Sequence, residues 1–339
     1  MTNFLATLMA FITVALSLMS GGPLAEEMKN KGDISGYAQS INAQKELPDL
    51  YADDDGDFTV LQFSDTHLTT GVTLADMQVL GKMEKLTLKY DPDLVVVSGD
   101  MIDDGNEGDF NKVNVLRSVA EIFEEADQYW AYIPGNNDGI NYGTSADVVA
   151  YLSRYEHCLV SDEPEISGGC QYSIDIISDG EMTHSMLFID TMDYDNDDPD
   201  HIYGYVYEDQ VNWCEEEISK KKQENSDVTV SVFLHENTPD FFRAARKGEA
   251  YKFGYPTLGL RMEKYNIPKN QPLDDVFNAS GCVGLLSMGH NHPLFDQCSF
   301  YNDTYYHVAP QTKVASSLIT IHTQADNTRD MYDFRPVYG

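Results

Sequence analysis

Aspartate, histidine and asparagine recur in this sequence in short clusters, and each cluster follows a short apolar run. Asp65-Thr66-His67 follows 58–64, Gly99-Asp100 follows 94–98, and Gly135-Asn136 follows 130–133. His235 closes the run 228–234, and Gly289-His290-Asn291-His292 follows 283–287. Carboxylate oxygen and imidazole nitrogen are donors that zinc, manganese and iron all accept. An Asp-x-His or His-x-His pair on an extended segment sends both side chains to the same side. Each piece alone has a commoner explanation, because Asp-x-His often caps a turn and a lone histidine such as His235 is more often structural. Five such clusters in succession point to a common centre, since the carboxyl ends of strands in α/β sheets converge at one edge.

The elements that would position them alternate. Period-2 or continuous apolar runs predict strands at 58–64, 94–98, 130–133, 171–177, 185–189 and 228–234, with later ones at 283–287, 298–301, 305–308 and 317–321. Helical spacing predicts helices over 74–90, 111–126, 145–153 and 208–222. This is the rhythm of α/β units, with no internal repeat and no linker rich enough to separate two domains. A single catalytic domain is expected over 57–325. A polar linker over 23–56, ending in the acidic run from Asp53 to Asp57, precedes it, and a C-terminal tail over 326–339 follows.

The chain has 42% hydrophobic residues, enough for a sizeable core and against disorder as the main state. Its net charge of -34, from 22 Lys and Arg against 56 Asp and Glu, repels the phosphate backbone of nucleic acids. Most of that charge reads as a solubility device. The apolar run 4–19 is short for a bilayer span and gives way to small residues, which predicts a signal peptide over 1–22. An uncleaved anchor and a buried helix are the alternatives, because the run lacks preceding Lys or Arg. No other stretch is apolar enough to cross a membrane, so no stable span is expected after cleavage. Export to the medium or to an endomembrane or vacuolar lumen would permit disulfides. Cys158 with Cys170 and Cys282 with Cys298 close the shortest loops and leave Cys214 free, with other pairings open. The absence of C-x-x-C argues against a thiolate zinc site. Asn278-Ala-Ser280 and Asn302-Asp-Thr304 are glycosylation sequons that suit export.

Taken in order, Asp65-Thr66-His67, Gly99-Asp100, Gly135-Asn136-Asn137-Asp138, His235 and Gly289-His290-Asn291-His292 resemble the motifs D-x-H, G-D, G-N-H-[ED], H and G-H-x-H of the calcineurin-like metallophosphoesterase family. The segments 63–68 and 187–194, with Gly204-Tyr205, look like the branch related to purple acid phosphatases. The purple enzymes use a tyrosine ligand to ferric iron, whereas His67 stands in this chain's Asp-x-His, so a colourless site is expected. The resemblance implies an α/β fold, a four-layer α/β/β/α sandwich of two mixed sheets flanked by helices. It implies two divalent metal ions, Zn, Mn or Fe, one held by Asp65, His67, Asp100 and His292, the other by Asp100, Asn136, His235 and His290. Two such ions can hold and activate a water for in-line attack on a phosphate ester. The implied activity is phosphatase or phosphodiesterase, acting on a phosphorylated small molecule.

One position departs from the pattern. The histidine that ordinarily follows the ligand asparagine, and protonates the leaving oxygen, is Asn137 here. An amide donates hydrogen bonds but no proton near neutral pH. Asp138, adjacent, and His201, in the loop 193–207, are the candidate substitutes. The departure also supports a second reading, a catalytically weak metal-binding relative that acts as a binding protein. A calcium-binding secreted protein is a third, although the acidic stretch 193–200 lacks the glycine and terminal glutamate of an EF-hand and reads as a solvated loop. His157, His184 and His307 read as structural or exposed, and Arg243, Arg246 and Lys247 as decoration of a helix.

Overall fold

The computed structural model describes residues 34, 36–40, 44–103, 109–139, 143–163, 165–193, 203–250, 267–294 and 296–339. The expected signal peptide over 1–22, the first part of the expected linker, the acidic residues 194–200 and His201 lie outside the described residues. The elements run α1 (Tyr37–Ser40), β1 (Leu50–Tyr51), β2 (Asp57–Phe63), α2 (Leu74–Tyr90), β3 (Leu94–Ser98), α3 (Asp109–Glu124), β4 (Trp130–Ile133) and α4 (Ser145–Leu152). β5 (Gln171–Ser178), β6 (Glu181–Ile189), α5 (Glu208–Glu224), β7 (Thr229–Phe233), α6 (Pro239–Lys247) and β8 (Glu249–Ala250) follow. A 3-10 turn (Ile267–Asn270) leads into α7 (Gln271–Ser280), β9 (Val283–Met288), β10 (Gln297–Tyr301), β11 (Thr304–Val308), β12 (Ser316–His322), α8 (Thr328–Met331) and β13 (Tyr332–Val337).

Two mixed sheets result. One has five strands in the order β13-β12-β2-β3-β4, the other eight in the order β1-β5-β6-β7-β9-β11-β10-β8. β2, β3 and β4 are parallel, as are β6, β7, β9 and β11. β3, Leu-Val-Val-Val-Ser, is buried at every position, as a parallel strand covered on both faces must be. On β6 the faces alternate. Leu187 and Ile189 pack with Val211, Cys214 and Ile218 of α5 and with Leu273 and Phe277 of α7. Met186 and Phe188 join the cluster that holds the residues of β2 and β3. Phe188 stacks on Tyr172 and Phe233 at 4.7 and 5.2 Å between centroids. Helices therefore flank two packed mixed sheets, the α/β sandwich expected from the sequence.

Close to the site the sheets are tied by polar groups. Ser287 donates to Gln62 Oε1 at 2.6 Å, Gln62 donates to Ser98 Oγ at 2.9 Å, and Ser287 meets His307 Nδ1 at 2.8 Å. These residues sit near the carboxyl ends of β2, β3 and β9, directly before the metal-type clusters. His184 and His307 are fully buried, in keeping with a structural role.

Three features differ from the sequence expectation. The later part of the presumed linker is docked: β1 pairs in parallel with β5, and the Lys45 amide donates to Ser161 Oγ at 2.9 Å. The presumed tail carries β13, whose Tyr332, Phe334 and Val337 are buried against the sheet while Asp333 and Arg335 face out. Pro336 is accommodated because β13 is the outermost strand, where a missing N–H breaks no shared ladder. All five cysteines are free, so the disulfide expectation is corrected. Cys298 lies on β10 and Cys282 just before β9, with β11 between them. Two strand spacings, about 9–10 Å, exceed the reach of a disulfide. Cys158 bridges Trp130 at the edge of the five-stranded sheet, whereas Cys170 leads into β5 of the other.

The sequon asparagines have structural duties. Asn302 and Asp303 take φ of 50° and 58° in the two-residue hairpin turn between β10 and β11, which favours these residue types. Asn278 donates to Asp240 Oδ2 at 2.7 Å. Among the described residues no helix is long and apolar enough to cross a membrane.

Candidate metal centre

β2, β3 and β4 of one sheet and β7 and β9 of the other each end in one polar loop, and these loops meet. Backbone strain marks the meeting point, because Asp65, His67, Asp100, His290 and His292 adopt φ of 52°, 42°, 51°, 67° and 46°. Left-handed φ costs a non-glycine residue energy that the surrounding structure must hold, and it concentrates at functional sites. Gly99 has φ +85°, and a Cβ there would lie 2.5 Å from His235 Nδ1 and 2.7 Å from the Gly135 backbone. Only glycine lets these loops close on one another. The loop after His67 is fixed by Asp76, the acid of the α2 capping box, which accepts from the amides of Thr69 and Thr70 at 3.0 Å each.

Two groups of donors form. In the first, ligand-type atoms of Asp65, His67, Asp100 and His292 lie within 4.8 Å of one another. His67 Nε2 and His292 Nε2 face each other at 2.8 Å, and His292 Nε2 is 3.0 Å from Asp65 Oδ1. In the second, the atoms of Asp100, His235 and His290 do the same. His235 Nε2 is 3.5 Å from Asp100 Oδ1, and Asn136 Oδ1 lies 2.9 Å from His290 Nδ1. Asp100 belongs to both groups. His235 Nδ1 donates to the Ser98 carbonyl at 2.8 Å, which fixes the tautomer and leaves Nε2 to face the centre.

The electrostatics are those of a concentrated donor cluster. Burial alone would lower the His235 imidazole, but Asp100 outweighs it and pushes the group up to about 10. Burial opposes ionisation of Asp100, yet His235 and His67 hold it well below the usual carboxylate range. Asp65 is likewise lowered, against burial, by His292. Burial, reinforced by His235, takes His290 down to about 3, so that ring is neutral at physiological pH.

The structure brings all seven predicted ligand positions together. Asn137 is buried and turned to Asp100, its backbone N–H donating to Oδ1 and its amide to Oδ2, both at 2.9 Å. It positions the shared carboxylate. Asp138 is engaged on both carboxylate oxygens. Its Oδ1 accepts from the Met101 and Ile102 amides at 2.9 and 3.2 Å, and its Oδ2 accepts from Tyr132 Oη and the Gly135 amide at 2.9 and 3.0 Å. Burial and Asp100 push this carboxyl up to about 6, and four donors occupy it. Arg243 is engaged by Asp240 and Gln271, the decorative role expected of it.

Sequence reasoning missed Glu236. It is 1% exposed and lies 3.4 Å from His290 Nδ1. Its only sequence signal is adjacency to His235. Burial pushes its carboxyl up to about 8.

Strand ends from two packed sheets that converge on carboxylates, imidazoles and an asparagine form a candidate metal centre on an α/β/β/α architecture. The family model for calcineurin-like phosphoesterases matches residues 58–294. The chain belongs to that family and is a phosphoric ester hydrolase. Among solved structures it is similar to a dimetal phosphatase from Danio rerio, at 11% identity and TM-score 0.56, over 83% of this chain and 99% of that one. It is also similar to a 5'-nucleotidase from Candida albicans, at 10% identity and TM-score 0.47, over 86% of this chain and 53% of that one. A calcineurin-like phosphoesterase from Bacillus subtilis matches at 12% identity and TM-score 0.45, over 86% and 91% of the two chains. A comparison with curated protein sequences returns no match.

Proposed function

We propose that this chain hydrolyses phosphate esters of small molecules with two divalent cations, one among Asp65, His67, Asp100 and His292, the other among Asp100, Asn136, His235 and His290. The carrying observation is the pair of donor groups that share Asp100. The donors fit cations: among the described residues His235 Nε2 is buried without a hydrogen-bond partner, and His67 Nε2, His292 Nε2 and Asp65 Oδ1 crowd within 3.8 Å of one another. Buried polar atoms in that condition cost free energy that a cation would recover. When bound, such a pair supplies Lewis acidity toward phosphoryl oxygens and lowers the pKa of water.

The chain's own residues do the rest. Asn137 orients Asp100, the Ser98 carbonyl orients His235, and Asp138 joins the loop of Asp100 to that of Asn136. Neither Asn137 nor Asp138 delivers a proton to a leaving group, and general acid catalysis is worth roughly 10²–10⁴-fold. Substrates with good leaving groups, aryl esters and anhydrides, should therefore be preferred over alkyl esters. A small monoester or nucleotide-like substrate follows from the branch resemblance, and the net charge of -34 disfavours nucleic acid. A relationship to the purple acid phosphatase branch, and export through the N-terminal apolar segment, belong to the same proposal.

The second reading, a metal-binding relative with little turnover, is favoured by one observation: the side chains at 137 and 138 are both committed to holding loops. The deciding experiment is hydrolysis of an aryl phosphate monoester, its diester and an alkyl phosphate by protein supplied with Mn²⁺ or Zn²⁺, beside Asp100→Asn. Metal-dependent turnover that D100N abolishes supports the esterase. Metal binding with no turnover on any of the three gives the second reading the lead.

A further inference from the structure

The second cation position is closed and the first is open. The side chains of His235 and His290 are 0% and 6% exposed, whereas that of His292 is 41% exposed. A substrate therefore reaches the centre past His292, and the residues on that rim decide what else it can carry. One turn stands there, Gln311 to Val314 between β11 and β12, closed by the Val314 amide on the Gln311 carbonyl at 2.8 Å. Both ligand loops of the first position hold it. The Gln311 amide donates to the carbonyl of Pro293, next to His292, at 3.2 Å. The Thr312 amide donates to the carbonyl of Ser64, next to Asp65, at 2.9 Å, and the Ser64 amide returns a bond to Thr312 Oγ1 at 3.0 Å. From α2, Lys82 Nζ donates to the carbonyls of Thr312, Lys313 and Val314 at 3.1, 2.7 and 3.2 Å.

Lys313 is the third residue of this clamped turn. It is exposed, and its ammonium has no hydrogen bond or ion pair among the described residues. Burial holds the His67 imidazole below its ordinary value against Asp100 and Asp65, and His292 and Lys313 add to the lowering, so the field of Lys313 reaches the first position. In a chain of net charge -34, an unpaired lysine fixed beside the open side of the centre is a place for an anion. The reacting phosphoryl group lies between the two cations, which leaves Lys313, outside them, for a second anionic group of the same substrate. With no proton delivered from positions 137 or 138, the favoured bond is one that breaks without protonation of the leaving group. A phosphoanhydride meets both conditions. Water adds to the terminal phosphorus, the anhydride P–O bond breaks, and the organic monophosphate leaves with the electron pair. One proton of the water stays on the inorganic phosphate and the other passes to solvent. We propose that Lys313 binds the second phosphoryl group of a small-molecule diphosphate whose terminal phosphoryl group occupies the two-cation centre. A lysine ammonium binds phosphate as a point charge, and it meets the charge that gathers on the leaving monophosphate. The proposal rests on the two-cation phosphoesterase reading above.

The test compares wild type, Lys313→Met and Lys313→Arg at a fixed excess of Mn²⁺. Calorimetric titration uses methylenediphosphonate, whose bridging carbon resists hydrolysis, and methylphosphonate, which has a single anionic group. Turnover is followed with methyl diphosphate and with an aryl phosphate. K313M should bind methylenediphosphonate and show a KM for methyl diphosphate roughly tenfold or more weaker, with methylphosphonate and the aryl phosphate within about twofold of wild type, because a hydrogen bond to a charged group is worth about ten- to a hundredfold in affinity. K313R keeps the charge and should recover most of the loss, and both variants should melt with wild type because the Lys313 side chain holds no part of the fold. Unchanged methylenediphosphonate binding in K313M, or a K313R as weak as K313M, overturns the proposal. Equal losses for the one-group and two-group probes overturn it too, since they mark a general attraction for anions. If wild type hydrolyses the aryl phosphate and K313M treats methyl diphosphate as wild type does, only the role of Lys313 falls. If wild type hydrolyses neither substrate, the esterase reading falls and the proposal with it.

Discussion

Replacing Asp138 by asparagine separates a proton donor from a loop clamp. The carboxylate accepts four hydrogen bonds, from the Met101, Ile102 and Gly135 amides and from Tyr132 Oη. Asparagine offers one oxygen and one NH₂. In the cheaper orientation the oxygen faces Met101 and Ile102, the Tyr132 hydroxyl reverses to accept from the NH₂, and the Gly135 amide is left facing a donor. One buried N–H without a partner costs about 1–3 kcal/mol. For large domains each kcal/mol moves the melting temperature by roughly 2–4 °C, so D138N should melt several degrees below wild type. Met101 follows Asp100 and Gly135 precedes Asn136, so the slack reaches both ligand loops, and Mn²⁺ affinity should fall roughly 10–100-fold. Calorimetric melting of metal-free protein and a Mn²⁺ titration, both at pH 7.5, measure these effects. A D138N variant with unchanged melting and unchanged Mn²⁺ affinity, but with one limb of the pH–rate profile gone, would refute the clamp and restore the proton donor.

Gly135→Ala places a Cβ 2.3 Å from the Asp100 backbone nitrogen and Oδ1, which have no room to give, so the purified variant should retain less than half of the wild-type metal content by elemental analysis. Asn137→His supplies an imidazole where the proton donor is missing, and should raise alkyl phosphate turnover more than aryl turnover in parallel kinetic assays. Equal gains for both would contradict the leaving-group account. His322 gives a pH signature remote from the centre: its Nδ1 is 2.6 Å from Asp57 Oδ1, and Asp57 raises the imidazole against the lowering effect of burial. A raised folded value means its contribution is complete below the unfolded value of about 6.5 and is lost as pH rises through the folded value. At roughly a third exposed the pair is worth under about 1 kcal/mol. Urea unfolding of wild type and His322→Gln should differ at pH 5.5 and converge at pH 8.5, and a constant difference would exclude the pairing.

The parts of the fold legible in the sequence are those whose periodicity is unbroken. Helix 74–90 is bracketed by its Thr73 cap and by Asp91, and β3 and β4 are continuous apolar runs, so their bounds followed from residue type. β1 and β8, at two residues each, have no period to read. β13 was hidden by its Asp, Arg and Pro, which are tolerated because the strand is at a sheet edge. The candidate donor set was legible because its residue types follow strand after strand. Which way a side chain turns was not: Asp138 sits beside Asn137 in sequence but folds back to Met101, and Glu236 shows its place only when β7 and β9 set it against His290. Cysteine spacing misled for the same reason, since β11 intervenes between Cys298 and the chain around Cys282.

The most direct test of the two-cation account is stoichiometry tied to turnover. Metal-free protein is titrated with Mn²⁺ while bound metal and aryl phosphate hydrolysis are followed in the same sample. Two ions per chain should bind, with hydrolysis rising as the pair fills and absent from Asp100→Asn. Full activity at a single bound ion, or undiminished hydrolysis by D100N, would contradict it.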